Sequence, residues 1–331
     1  MTPVSRASVG GAPTGLADGF GYLLVHFVED QAGHAEKIYF SLSVGDDPLR
    51  WRRLNGGDPI LEWTSGTTGV RDPHIVRGPG GFHLVATDLR VWKPDGVDWE
   101  GYRHRGSRDI VVWDSPDLVT WDAPRAVSVA PAGAGMAWAP ESVYDPVRGD
   151  FLVHWASGLA GDGGDGRTGP ARILGARTRD FRTFDAPRTL LERPGGVIDM
   201  TIAVLDDGRV IRFAKQDDGH PGSWRIFQQV GSGLDADDFQ TVARDLGQHV
   251  AEHVEGPLVF RAHGGERWFL WVDQYSRLPQ GYHALTSADP AGGVWEPVPE
   301  ADFDLPPDTK HGAVLPLRRH EHEALRARWG A

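Results

Sequence analysis

Three carboxylates in this sequence sit where a strand would normally carry an apolar side chain. Asp72 lies in GVRDPHIV, Asp199 in VIDMTIAVL and Glu255 in VEGPLVF. An unpaired carboxylate buried in such a strand is costly, and Pro73 cannot donate to a sheet ladder. Acids that converge from separate strands on one pocket can share the work of proton transfer. An ionised carboxylate takes a proton from water, while a second, kept protonated by a like-charged neighbour, gives one up.

Their convergence requires a scaffold, and the chain repeats itself in a way that supplies one. An inner segment, an alternating strand, a third strand, a turn and a short strand with Trp121 run from Gly69 to Asp122. The order returns from Met136 to Asp185, again from Val197 through DDFQTV, and again from Val254 through GGVWEPV. Taken as landmarks, Asp72, Glu141, Asp199 and Glu255 are spaced by 69, 58 and 56 residues, and a further step of 56 reaches His311 in KHGAVLPL. Each unit is about four strands long, with turn residues between strands. After the fifth inner segment the chain soon ends. Its missing strands match GYLLVHFV, KIYFSLS and DDPLRWRRL near the N-terminus. This pattern predicts an all-β, five-bladed β-propeller whose last blade is closed by strands from both termini, an arrangement that leaves no loose edge. A β-sandwich or two stacked β domains would not explain why the termini complement each other. The propeller is expected as a single catalytic domain over residues 19–331, preceded by a flexible segment, 1–18. EHEALRARW predicts a short helix at the closure.

Composition narrows the partners. The net charge of −12 argues against nucleic acid and anionic membranes, both of which need a basic face. With no cysteine, disulfides and thiolate metal sites are excluded, and no His-rich spacing suggests catalytic zinc. The 43 Gly, 24 Pro and 13 Trp suit tight turns between aromatic-packed strands. The first residues lack a basic region followed by an apolar run, and no stretch is apolar enough to span a bilayer, so the sequence predicts a soluble, cytoplasmic protein. It leaves the oligomeric state open.

In a propeller the inner strands line a central channel, so these acids should meet at one of its mouths. Two carboxylates flanking one bond suit glycoside hydrolysis. The motifs RDP, WAPE, IDM, EGP and KHG, in this order and at blade-length spacing, resemble those of glycoside hydrolase family 43 over nearly the whole chain. That family comprises five-bladed propellers and includes α-L-arabinofuranosidases and β-xylosidases. The resemblance implies an inverting, exo-acting hydrolase releasing terminal α-L-arabinofuranosyl units. Asp72 would be general base, Glu255 general acid and Asp199 the residue that raises the acid's pKa. It further implies that a water-coordinated cation, calcium or another, can sit near the axis by His311, while no cofactor is required. Two features depart from the family pattern: about 70 residues precede the base, as the terminal strand exchange explains, and VIDMTI is a looser variant of its motif.

Four further residues are candidates for substrate contact. Trp138 could wall a sugar face, Glu141 and His311 lie on inner segments, and Arg212 in VIRFAKQ could reach a hydroxyl from the next strand. Trp51, Trp121 and Trp295 recur at an outer position and are expected to pack blades. Two long polar loops, 92–109 and 157–170, are placed between strands 2 and 3 of adjacent blades, where loops shape specificity. The alternatives are a β-xylosidase or galactosidase on the same fold, or a non-catalytic carbohydrate-binding propeller. A phosphorylase would need clustered Arg or Lys, which the inner segments do not display.

Overall fold

The computed structural model describes residues 16, 18–29, 36–93, 95–161, 167–217 and 225–330. Most of the segment expected to be flexible, and the middle of the second long loop, therefore lie outside the described residues.

Five four-stranded antiparallel sheets surround one axis. The N-terminal strands are β1 (Gly19–Phe27), β2 (Ile38–Val44) and β3 (Asp47–Arg53). Next come β4 (Val70–Gly78), β5 (Gly81–Asp88), β6 (Asp109–Ser115) and β7 (Arg125–Ser128), with helix α1 (Trp99–Arg105) between β5 and β6. The third blade is β8 (Trp138–Asp145), β9 (Asp150–Ser157), β10 (Arg172–Thr178) and β11 (Arg188–Leu191). The fourth is β12 (Val197–Val204), β13 (Val210–Gln216), β14 (Ile226–Gly231) and β15 (Gln240–Leu246). The fifth is β16 (Val254–Arg261), β17 (Trp268–Gln274), β18 (Gly281–Ser287) and β19 (Glu296–Pro297). Finally β20 (Gly312–Arg318) pairs with β1, so the sheet order β20-β1-β2-β3 joins the two termini in one blade. The inner strands β4, β8, β12, β16 and β20 neighbour one another in a closed ring. This is a five-bladed β-propeller.

The core lies between blades. Val85, Ile110 and Val112 pack against Phe151, Val153 and Trp155 of the next blade, and Ile211 and Phe213 against Leu270 and Val272. The recurrent tryptophans cross seams of this kind. Trp51 meets Trp271 edge-on at 5.5 Å, Trp121 meets Phe40 at 5.9 Å and Trp295 meets Phe213 at 5.5 Å. Buried aromatics of this kind are worth about 3–5 kcal/mol each against alanine. The predicted C-terminal helix forms as α2 (Arg319–Trp329), and Arg77 of β4 clasps its Glu321 through two nitrogens, at 2.5 and 2.8 Å.

Four inner strands break register at the same height. The shifts fall between Arg71 and His74, Trp138 and Glu141, Ile198 and Thr201, and Glu255 and Leu258. Within each break one residue has positive φ: Asp72 (53°), Ala139 (45°), Asp199 (52°) and Gly256 (48°). These are β-bulges, which re-aim side chains at the cost of local strain. Proline follows three of the four, at Pro73, Pro140 and Pro257. It is tolerated because an inner strand faces the axis with one edge unpaired.

Candidate active site

The bulges sort the inner-strand side chains into layers. Immediately before the bulge stand Arg71, Trp138, Ile198 and Glu255, and all four line a cavity of about 350 Å³ at one mouth of the channel. The bulge residues Asp72, Ala139, Asp199 and Gly256 come next and line a smaller axial space of about 10 Å³, room for about one water. Asp72 and Asp199 reach the mouth cavity as well. Beyond them, His74 and Glu141 face only the axial space among these two cavities. No carboxylate among the described residues lines the cavity at the opposite mouth.

His311 ties the acids together. Its Nε2 lies 2.5 Å from Asp72 Oδ1, and its Nδ1 lies 3.1 Å from Asp273 Oδ2 and 3.9 Å from Glu255 Oε1. One imidazole touching both Asp72 and Glu255 caps their separation at about 9 Å, which admits both the inverting and the retaining spacing. Burial opposes charge on His311, but Asp72 and Asp273 outweigh it and hold its pKa well above the ordinary value. A carboxylate facing each ring nitrogen favours the imidazolium, which can donate on both sides.

The acids differ in their surroundings. Burial pushes the Asp72 carboxyl up, yet His311, Arg71 and the Thr87 hydroxyl, which donates to Oδ2 at 2.8 Å, bring it below its usual value. Burial raises Asp199 to about 6; Glu255 and Asp72 add to the rise while His311 and Lys215 oppose it. Its Oδ2 accepts the Gly256 amide at 3.2 Å. Glu255 behaves in the opposite sense to the sequence expectation. Burial would raise it, but Lys215 Nζ at 3.1 Å, Lys310 Nζ at 3.5 Å and His311 lower it strongly. These neighbours favour the ionised form of Glu255, and Asp199 is the more readily protonated of the two.

Several expectations need correction. The landmarks Asp72, Glu141, Asp199 and Glu255 are not equivalent positions: Asp72 and Asp199 are bulge residues, Glu255 stands one residue before its bulge and Glu141 two residues after. Glu141 does not line the mouth. It sits in the axial space with His74 Nε2 at 3.6 Å, and burial drives its pKa well above the usual range, with Thr201 opposing and Asp199 adding. Arg212 lines neither cavity: it donates to Gln229 at 2.9 Å and to the Leu190 carbonyl at 3.1 Å, over the Phe239 ring. The cation that β13 sends to the mouth is Lys215, three residues on, opposite Ile198 in register. Trp138 does line the mouth, edge-on to Trp99 at 6.2 Å.

Basic groups do cluster here, although the inner segments supply only Arg71 and Lys310: Arg71, Arg103 of α1 and Lys215 of β13 line the mouth and Lys310 lies behind it. Each has an acidic partner, Arg71 with Glu29 and Glu36, Arg103 with Asp217, Lys215 with Glu255 and Lys310 with Asp273. Sequence reasoning missed Arg103 and Trp99 because they ride on α1, inside the loop joining β5 and β6 of a single blade. Asp98 caps that helix by accepting the Gly101 amide at 2.8 Å. Tyr275 and Gln280, also at the mouth, gave no periodic signal.

A ring of five sheets with paired acids at one mouth defines a propeller of the carbohydrate-hydrolase type. The chain belongs to the glycosyl hydrolase 43-related family, whose model, described as a probable glycosyl hydrolase domain, matches residues 18–323. An α-L-arabinofuranosidase of Bifidobacterium longum subsp. longum is 30% identical over 224 residues, a stretch covering 62% of this chain and 20% of that protein. The match thus spans about a fifth of that relative's length. Among solved structures, a thermostable family-43 glycoside hydrolase superposes with a TM-score of 0.51 and 17% identity, covering 70% of this chain and 72% of the other. The catalytic domain of a Coprinopsis cinerea family-62 α-L-arabinofuranosidase gives 0.51 and 15% identity over 87% and 79%. At these identities the two structures speak for the fold alone.

Proposed function

We propose that this chain is an inverting, exo-acting glycosidase that releases terminal α-L-arabinofuranosyl units. The observation that carries this reading is the His311 imidazole standing within 4 Å of both Asp72 and Glu255, which line the same cavity. Asp72, ionised and oriented by Thr87 and His311, is the base that deprotonates water. Glu255 is the acid facing the departing oxygen. It can donate only once its proton is restored, so a sugar entering between Lys215 and Glu255 must weaken that 3.1 Å pair. Asp199, adjacent through the Gly256 amide and near 6, is the group from which a proton can be redistributed. A cavity of about 350 Å³ lies at the small end of ligand sites, roughly 300–1,000 Å³. That size suits one or two sugar units and supports exo action. Trp138 and Trp99 offer apolar faces to the ring, and the Bifidobacterium relative supports arabinofuranosyl as the unit.

The test is turnover of nitrophenyl α-L-arabinofuranoside, β-xyloside and β-galactoside, with proton NMR of the first sugar released. Arabinose appearing first as the inverted anomer is expected. A retained anomer defeats the mechanism, and preferential release of xylose or galactose defeats the sugar assignment. Ligand binding without turnover of any of them would point to a carbohydrate-binding propeller. The acid is identified separately: Glu255→Gln should lose activity on glycosides with poor leaving groups yet keep much of it on dinitrophenyl glycosides. If Asp199→Asn shows that selectivity instead, Asp199 is the acid.

A further inference from the structure

Family resemblance allows a cation near the axis, and Glu255, Asp273 and His311 are the described residues whose ligand atoms cluster closely enough to hold one. Their surroundings do not fit a metal. Lys310 is 1% exposed, and its ammonium already stands among these acids, 2.9 Å from Asp273 Oδ2 and 3.5 Å from Glu255 Oε1. Asp273 Oδ2 also accepts the His311 amide at 3.1 Å, besides facing its Nδ1 at 3.1 Å. Both ring nitrogens of His311 face carboxylates, Asp72 on one side and Asp273 on the other, which leaves no lone pair turned toward an ion. Calcium gathers six to eight oxygens, waters among them; this group offers two carboxylates and an imidazole already engaged, and the axial space beside it, about 10 Å³, has room for about one water.

We propose that the Lys310 ammonium, with His311 beside it, is a protein-borne cation that takes the place of a bound metal ion at the axis. Glu255 on β16 and Asp273 on β17 face the ammonium, while Asp72 on β4 faces His311, and a divalent ion among these carboxylates would be repelled by the ammonium. Lys310 is well fixed for this role. Its backbone amide donates to the Phe27 carbonyl at 3.0 Å, and β20, the strand that closes the ring, begins two residues on at Gly312. The ammonium thus arrives with the fold itself. Lys310 is a positioning residue: it acts on the substrate through Glu255, Asp273 and His311. The proposal does not depend on which sugar is cleaved.

Elemental analysis of the purified protein, with thermal melts in EDTA and in millimolar calcium or magnesium chloride, tests it. The wild type is expected to contain no stoichiometric metal, and its melting temperature should respond to neither EDTA nor added ions. Lys310→Ala removes the ammonium but leaves the acids, including Asp273 Oδ1, which is buried without a hydrogen-bond donor. Its melting temperature is expected to fall and then to rise with calcium concentration. Lys310→Arg keeps the charge and should stay indifferent to calcium. One metal ion per wild-type chain, with a melting temperature lowered by EDTA, would overturn the proposal even if Lys310→Ala failed to fold. So would a calcium response in Lys310→Arg.

Discussion

Charge at the mouth is balanced residue by residue, and the pH behaviour should reveal each pairing. Lys215 lies 3.1 Å from Glu255 and holds it ionised. Removing that charge in Lys215→Met raises the acid's pKa, so the basic limb of the kcat/KM profile, where the acid loses its proton, should move to higher pH. An unmoved limb would mean that Lys215 only binds sugar. Asp199 carries the opposite lesson. Its folded pKa of about 6 stands above the value of 3.8 that it has free of the fold, so the native state binds the proton more tightly. The stability it contributes is full below the unfolded value and is lost as pH rises through the folded one. Asp199→Asn should therefore stabilise the protein at pH 7.5, by about 3 kcal/mol at most, and change little at pH 4. It should also lower activity, the usual exchange of function for stability at a strained site. Melts at the two pH values check the sign.

At the scale of the strand, the bulge is what makes the site. Without it, Asp72 and Glu255 would follow the simple alternation of a strand and could not share one pocket. Gly256 shows how tightly the bulges are packed. Its φ is 48°, and a Cβ there would overlap the Cβ and ring of His311. Gly256→Ala should cost about 1–3 kcal/mol through backbone strain alone and displace the imidazole that joins the acids. Its activity should fall further than its melting temperature predicts. Gly312, at the start of β20, has no room either, because a Cβ would run into the Val25 carbonyl on β1. Gly312→Ala is accordingly expected to weaken blade closure, seen as faster hydrogen exchange in β1 and β20.

For the whole molecule, ring closure and the candidate site share one segment of chain. Residues 310 and 311 lead directly into β20, which pairs with β1 from Gly19 to His26. Ring closure is therefore what delivers Lys310 and His311 to the acids. Arg77 and Glu321 pin α2 across this seam. Because Glu321 is nearly buried, Glu321→Gln leaves the guanidinium without its charge partner. It should lower the melting temperature by a few degrees without moving the pH profile, since the pair is remote from the mouth. A profile that shifted would show that closure tunes the site and does not simply hold it.

The propeller was legible because its signals are local and repeated: strand-length apolar runs, turn residues between them, and terminal strands that complete one another. Asp72, Asp199, Glu255, Trp138 and His311 could be singled out for the same reason, as residues on strands that must face an axis. Layering within the axis could not be read, because a one-residue bulge leaves no mark on spacings of 56 to 69 residues. Thus the sequence offers Glu141 and Arg212 as substrate contacts, whereas the fold keeps both from the mouth and brings Lys215 there. Tertiary structure alone decided the protonation of the acids. Their pKa values depend on Lys215, Lys310 and His311, which reach Glu255 across tens of residues of chain, and electrostatic coupling depends on distance in space.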